Sequence, residues 1–214
     1  DMHREFKVQS GVRAAFPKVP KMFSFSEDTT ILGSDFYIME KVDGIILNYK
    51  EAKQRNLSSV EYTTVANSWL ETMTQLHAID YKEVGLESLG KPEGYVSRQV
   101  ANWGKQFLKV KTTAYPEAAL VMEWMELHQP KESQHCLIHN DYKYDNIVFK
   151  DNSWKEVAAV LDWEMATLGD PLMDLGTSLG DWTVATDHGL LYTTEAAYYL
   201  LGVELDSIRS LINT

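Results

Sequence analysis

Apolar positions change their spacing along the chain, and each change marks a different kind of element. From Met2 to about Ala15 the pattern is helix-compatible. Pro17 and Pro20 stop it, because proline lacks an amide donor and clashes with a preceding turn. Short apolar stretches at Met22–Phe25 and Phe36–Glu40, bounded by Asp, Ser and Gly, predict strands, with Asp43-Gly44 a turn after the second. Ser58 followed by Glu61 is a capping-box signature, and Tyr62, Val65, Trp69, Met73 and Leu76 then recur at helical spacing. Val96, Val100, Trp103 and Phe107 repeat that spacing in a second helix, and Pro116 with Ala118, Ala119, Met122 and Met125 opens a third. The Trp and Tyr side chains of these apolar faces are expected mostly in the core.

Beyond the helical block, strands return at Cys136–His139, Ile147–Phe149 and Val157–Leu161, with Asp151-Asn152-Ser153 as the turn between the last two. Asp170-Pro171 reads as an N-cap and first helical residue, opening a helix through about Leu179. The segment Asp181–Thr214 reads as weakly specified helix and matches nothing assignable. The pattern predicts an α+β chain in two parts: a small part with strands and one helix, a linker near Lys41–Gly44, and a larger, mainly helical part bearing a β-hairpin. Such layouts bind ligands in the cleft between their parts.

Composition narrows the function classes. With 214 residues, 44% of them hydrophobic, the chain can bury a substantial core, which excludes a purely disordered protein. Lys and Arg total 20 against 31 Asp and Glu, a formal charge of −11 that repels nucleic-acid phosphates and anionic lipid. Neither nucleic acid nor a membrane is expected as a partner, and the sequence does not settle the oligomeric state. The one cysteine, Cys136, cannot form an internal disulfide, which points to a reducing, cytoplasmic setting. There is no apolar run of about 18 residues, and the first residues are neither a signal nor a transit peptide. The sequon Asn56-Leu57-Ser58 is then a chance match. Arg4–Val8 reads as the inside of a helix with no preceding cap, as if an N-terminal segment belonged upstream.

The densest polar cluster, His139-Asn140-Asp141-Tyr142-Lys143-Tyr144-Asp145-Asn146, falls between two predicted strands, and the strand Val157–Leu161 delivers Asp162 at its end. Phosphoryl transfer needs a carboxylate to orient the attacking hydroxyl, oxygen ligands for Mg²⁺ and a cation near the transferring oxygens. Asp141 can take the hydroxyl proton, Asn146 and Asp162 are hard oxygen ligands, and Lys143 can face the γ-phosphate of ATP.

The spacing His139-x-Asp141-x-x-x-x-Asn146 followed by Asp162 resembles the kinase catalytic loop and metal site. The strings Leu137-Ile138-His139-Asn140-Asp141, Val160-Leu161-Asp162-Trp163-Glu164, Gly169-Asp170-Pro171 and Asp174-Leu175 resemble the aminoglycoside phosphotransferase and choline kinase superfamily. Within it, Phe36–Glu40, Leu76–Asp80 and Gly90–Tyr95 look most like the phosphotransferase-like domains found fused to acyl-CoA dehydrogenases. The resemblance runs from about Arg4 to Trp182. It implies a protein-kinase-like two-lobed fold with a truncated N-lobe in residues 1–40, a hinge at 41–44 and a mainly helical C-lobe in residues 45–214. By the same resemblance Asp141 is the catalytic base, His139 buttresses its loop, and Asn146 and Asp162 hold the metal. The backbone around Glu40, Lys41 and Val42 receives the adenine. The implied activity moves the γ-phosphate of ATP, with Mg²⁺, to a hydroxyl of a small molecule: an aminoglycoside, a choline-like compound or a hydroxyacyl compound.

Two departures stand out. Asn140 occupies a place where the family usually has Gly. The family's Gly-rich turn and strand lysine are missing, and Glu5 resembles the helix glutamate that would pair with that lysine. The chain is therefore expected to be a fragment of a longer protein. A nucleotide-binding pseudokinase or scaffold without turnover is the alternative, and a metal-dependent hydrolase using Asp141 and Asp162 is a third reading.

Taken singly, the residues have plainer readings. Asp141 alone would pass for a turn residue, Lys143 for a surface lysine and Glu5 for an exposed helix glutamate. His139 is expected to be structural rather than a base, and His77 to complement its helix dipole. Asp170 reads as a cap, and Asp174 as a hydrogen-bond partner of the polar loop.

Overall fold

In a computed structural model that describes residues 1–113, 115–131 and 134–180, helix α1 (Met2–Val12) starts at a cap the sequence reading missed. The Asp1 carboxylate accepts the Arg4 amide at 3.2 Å, and Glu5, Val8, Gln9 and Val12 form the buried face. The helix ends earlier than Ala15 because the Arg13 guanidinium turns back onto the carbonyls of Pro17 and Val19. Strands β1 (Met22–Ser26) and β2 (Phe36–Met39) pair antiparallel, Ser26 opposite Phe36. The short helix α2 (Thr29–Leu32), capped by Asp28, lies between them in sequence.

The linker leads directly into a strand that hydropathy did not reveal. β3 (Ile45–Ile46) pairs with a later strand, and α3 (Tyr49–Arg55) follows under an Asn48 cap. Helix α4 (Ser59–His77) carries the expected capping box: Ser58 accepts from Glu61 N while the Glu61 carboxylate accepts from Ser58 N at 2.8 Å. Its face of Tyr62, Val65, Trp69, Met73 and Leu76 is buried throughout and forms the spine of the core.

Helices α5 (Tyr95–Val110) and α6 (Pro116–Leu127) pack on one another. Here the expectation of buried aromatic faces fails among the described residues: Trp103 and Trp124 are each 60% exposed, and α6 buries none of its side chains. Among the described elements α6 packs chiefly on α5, so spacing alone overstates its burial.

Strand β4 (Cys136–Ile138) does not join the hairpin. It pairs with β7 (Thr167–Gly169), a strand the sequence did not signal, Cys136 opposite Gly169. β5 (Ile147–Phe149) and β6 (Val157–Val160) form the expected hairpin, and β3 adds to it in the order β3-β5-β6. Helix α7 (Pro171–Gly180) starts as anticipated, with Asp170 accepting the Leu172 amide at 2.9 Å. The expected final helical segment from Asp181 lies outside the described residues. No described helix is long and apolar enough to cross a membrane.

Candidate active site

The loop between β4 and β5 alternates between two environments. Tyr142 and Tyr144 point into the core against Trp69, with ring centroids 4.9 and 5.7 Å away, while Asp141 and Lys143, which alternate with them, stay partly exposed. Tyr142 donates to the Trp69 carbonyl at 2.9 Å, and Ser178 of α7 donates to the Tyr142 carbonyl at 2.7 Å. Two buried aromatic anchors thus fix the backbone from which two charged side chains project. The period of two within a segment read only as polar is the signal that could have found them.

Asp174 holds the same loop from the other side. Its fully buried carboxylate accepts the amides of His139 at 2.8 Å and Asn140 at 2.6 Å, together with His77 Nε2 at 2.9 Å. The expected bond from Asp174 to the loop is present. The role of His77 differs from the expectation: it is tied to this carboxylate as well as standing at the end of α4.

His139 is buried between the loop and the end of the hairpin. Its Nε2 donates to the Leu161 carbonyl at 2.9 Å, and Nδ1 accepts the Asp141 amide at 3.3 Å. Burial lowers its pKa below the ordinary value of 6.5, although the carboxylates of Asp174, Asp141 and Asp162 pull the other way. A neutral ring that bridges two loops is a strut. Trp163 packs edge-on against it at 4.9 Å and is wholly buried, donating to the Val160 carbonyl, so it wedges the segment and does not face a ligand.

The cluster itself closes on Asp141. Lys143 Nζ donates to both of its carboxylate oxygens, at 2.9 and 2.8 Å, and Asn146 Nδ2 donates to its Oδ2 and its carbonyl, each at 2.9 Å. That orientation turns the carbonyl prong of Asn146 away from Asp141. The Leu161 amide donates to the Asn146 carbonyl at 2.8 Å, which extends the β5–β6 ladder and sets Asn146 and Asp162 at one end of the hairpin. Asp162 has a left-handed backbone, φ 63°, where the strand breaks away from the sheet. Among the described residues no three His, Cys, Asp or Glu side chains converge as a metal site, and the expected pair, Asn146 and Asp162, offers one carboxamide and one carboxylate.

Glu5 is buried, contrary to the exposed reading. It accepts from Gln9 at 3.4 Å and faces the Tyr37 hydroxyl, whose pKa is raised chiefly by burial, then by Glu5, with Asp162 a smaller contributor. Tyr37 thus places Glu5 and Asp162 in one electrostatic neighbourhood, across the two parts of the chain. Arg4 ties α1 to the same region by donating to the Ala166 carbonyl at 2.8 Å. Glu40, Lys41 and Val42 belong elsewhere in the fold, linking β2 to β3. The Glu40 amide donates to the Lys21 carbonyl at 2.8 Å and its carboxylate accepts the Lys21 amide at 3.0 Å. Cys136 is buried, and its thiol is pushed up to about 12 by that burial, which makes it a poor nucleophile.

A profile of the phosphotransferase enzyme family matches residues 1–210. Human acyl-CoA dehydrogenase family member 11 is 37% identical over 173 residues, which cover 80% of this chain and 22% of that protein. The chain spans between 16% and 22% of the length of the first curated relatives it matches. Among solved structures, a Ralstonia eutropha protein provisionally assigned as an aminoglycoside phosphotransferase superposes with a TM-score of 0.81 at 32% identity, over 98% of this chain and 64% of that one. An APH(4)-Ia aminoglycoside phosphotransferase, in a ternary complex with AMP-PNP and hygromycin B, has a TM-score of 0.64 at 17% identity, over 96% of this chain and 67% of that one. The second likeness concerns the fold alone. The architecture is the α+β, protein-kinase-like one, its small lobe represented here by one long helix and a two-stranded sheet.

Proposed function

This chain belongs to the phosphotransferase enzyme family, and from that premise we propose that it transfers the γ-phosphate of ATP, with Mg²⁺, to a hydroxyl of a small molecule. The observation that carries this reading is the closure of Lys143 and Asn146 on the Asp141 carboxylate at 2.8 to 2.9 Å, beside the hairpin end that bears Asp162. Asp141 accepts the acceptor's proton as the new O–P bond forms and the bond to the departing ADP breaks. Asn146, through its carbonyl oxygen, and Asp162, through its carboxylate, are the residues that would hold Mg²⁺. Two oxygen side chains suit an ion that completes its octahedron with phosphate oxygens and water. When bound, the metal and nucleotide supply the transferable group and neutralise the charge that develops on it.

Lys143 holds Asp141 in place and would supply positive charge to the transferring phosphate. His139 and Asp174 act through the loop backbone, keeping Asp141 aimed. Residues 41–44 serve as the hinge between the lobes. Because the Glu40 amide is already bonded to Lys21, the groups left to meet an adenine are the Glu40 carbonyl and the backbone of Lys41 and Val42. Glu5 is a buried acid that would pair with a phosphate-binding cation. The charge of −11 argues against nucleic-acid and membrane partners.

The test is ADP release by the full-length protein across a set of hydroxylated metabolites, with Asp162→Ala as the blank. Asp141→Asn is expected to lower acceptor-dependent turnover by at least about a hundredfold, the scale of a lost general base, while ATP affinity stays within about threefold. Turnover kept in Asp141→Asn contradicts the assignment. ATP binding without acceptor-dependent turnover in the wild type favours a scaffold, and hydrolysis that needs no nucleotide favours a hydrolase.

A further inference from the structure

Two consecutive residues of the loop that carries Asp141 grip the chain on either side of Asp162. His139 Nε2 donates to the Leu161 carbonyl at 2.9 Å, and Asn140 Nδ2 donates to the Met165 carbonyl at 3.0 Å. From one carbonyl to the other run Asp162, with its left-handed backbone, and the one-turn helix Trp163–Met165. A single hydrogen bond fixes a point about which a segment can still turn. Bonds at both ends of the segment fix its direction as well. The next carbonyl, that of Ala166, is taken from another side by Arg4 of α1 at 2.8 Å.

Asn140 is itself firmly mounted. Its backbone amide donates to the buried Asp174 carboxylate at 2.6 Å, so the base of the side chain is held by α7. The second proton on Nδ2 goes to the Tyr95 hydroxyl, again at 3.0 Å, and Tyr95 is buried at the first position of α5. A carbonyl can only accept, so the Met165 oxygen settles which prong of the carboxamide faces it. The backbone is left-handed, φ 64°, a conformation that asparagine, aspartate and glycine tolerate better than other residues. One carboxamide thus joins the loop before Asp141, the turn after Asp162 and the start of α5.

We propose that Asn140 is a positioning residue for phosphoryl transfer: by holding the Met165 carbonyl and the Tyr95 hydroxyl at once, it sets the direction of the segment bearing Asp162 relative to the loop bearing Asp141. This rests on the phosphotransferase reading above. A reaction that brings a base on one segment to a nucleotide held by the other depends on their alignment, and a displacement of about 1 Å can cost about a hundredfold in rate. Asn140 acts through the backbone of both segments, so its loss falls on kcat and leaves the KM for ATP nearly unchanged.

The test uses the full-length protein with three substitutions. Asn140→Gly and Asn140→Asp both accept the left-handed backbone; the first removes the side chain, and the second keeps its size but has no donor once ionised. Tyr95→Phe removes one partner and leaves the Met165 bond in place. Hydrogen exchange without nucleotide, followed by mass spectrometry on the peptide covering residues 161–166, reads how the segment is held; its Ala166 amide, which donates to the Trp163 carbonyl at 3.1 Å, is the reporter. ADP release with a hydroxylated metabolite that the wild type turns over reads kcat and KM. Both Asn140 variants are expected to speed exchange in that peptide by about fivefold, the scale of one lost hydrogen bond, and to lower kcat by about tenfold or more while the KM for ATP stays within about threefold. Tyr95→Phe should move both readouts the same way by less. Faster exchange with an unchanged kcat makes Asn140 a structural tie only and overturns the inference. So does unchanged exchange, or an Asn140→Asp variant that behaves as the wild type. In each of these cases the phosphotransferase reading stands, because the wild type still turns over its acceptor. A wild type that releases no ADP with any acceptor overturns that reading, and the positioning role with it, whatever the exchange shows.

Discussion

His139 shows how one buried ring can fix the backbone of its neighbours. It receives the Asp141 amide and donates to the Leu161 carbonyl, so its neutral state fixes both strand ends at once. Its pKa is lowered by burial from 6.5, whereas the unfolded chain takes up the proton near that ordinary value. The unfolded state therefore binds more protons in the window below about 6.5, and the stability that the neutral ring contributes is full above that window and lost as pH falls through it. Urea unfolding at about pH 7.5 and about pH 5.5 should show a larger loss for the wild type than for His139→Gln. Equal losses contradict the neutral-strut assignment. A second prediction concerns Lys143, whose ammonium caps Asp141 at 2.8 Å. Lys143→Ala should lower kcat by about 10²-fold, the scale of one lost donor to developing charge, with a small change in acceptor KM. An unchanged kcat would mark the lysine as a surface residue. That Asp141 and Asn146 meet, with Asp162 at the end of the same hairpin, was legible in the sequence because spacing along a short loop and hairpin is local information. The burial of Glu5 was not, since its partner Tyr37 lies 32 positions away.

At the scale of elements, the loop is held by its supports more than by its own turns. Asp174→Ala would leave the His139 and Asn140 amides and His77 without their acceptor, at about 1–3 kcal/mol for each unsatisfied group. A loss of about 3 kcal/mol or more is expected in denaturant unfolding. Asp145→Ala, at an exposed position of the same loop, should stay within about 0.5 kcal/mol. Similar values for the two would show that Asp174 does not hold the loop. Gly44 is a second case: a Cβ there would lie 2.5 Å from both the Phe149 carbonyl oxygen and Val148 Cγ1, against the strand that β3 pairs with. Gly44→Ala should cost about 1–3 kcal/mol, as overpacking does, and an unaffected melting temperature would contradict the close approach. Elements with local signals, such as the capping box of α4 and the Asp170-Pro171 start of α7, were readable in advance. β3 and β7 were not, because strands of two and three residues exist only through partners distant in sequence. The apolar run of α6 was over-read for the same reason, since periodicity reports which face is greasy and not what covers it.

For the whole molecule, the proposed phosphotransferase reading puts the nucleotide between the part bearing Glu5 and Tyr37 and the part bearing Asp162. α1 and the segment after it bridge the two parts, through Arg4 on the Ala166 carbonyl and through Phe16 packed edge-on against Trp163 at 6.3 Å. Movement of α1 would therefore be felt at the segment that carries Asp162. The most direct measurement is a crystal structure of the full-length protein with Mn²⁺ and AMP-PNP, read by the anomalous signal of the metal. The account predicts a peak bonded to Asn146 Oδ1 and an Asp162 carboxylate oxygen, at the distance of about 2.1 Å that small hard cations adopt, with the γ-phosphate turned toward Asp141. A peak away from both side chains, or a nucleotide whose γ-phosphate points away from Asp141, would contradict it.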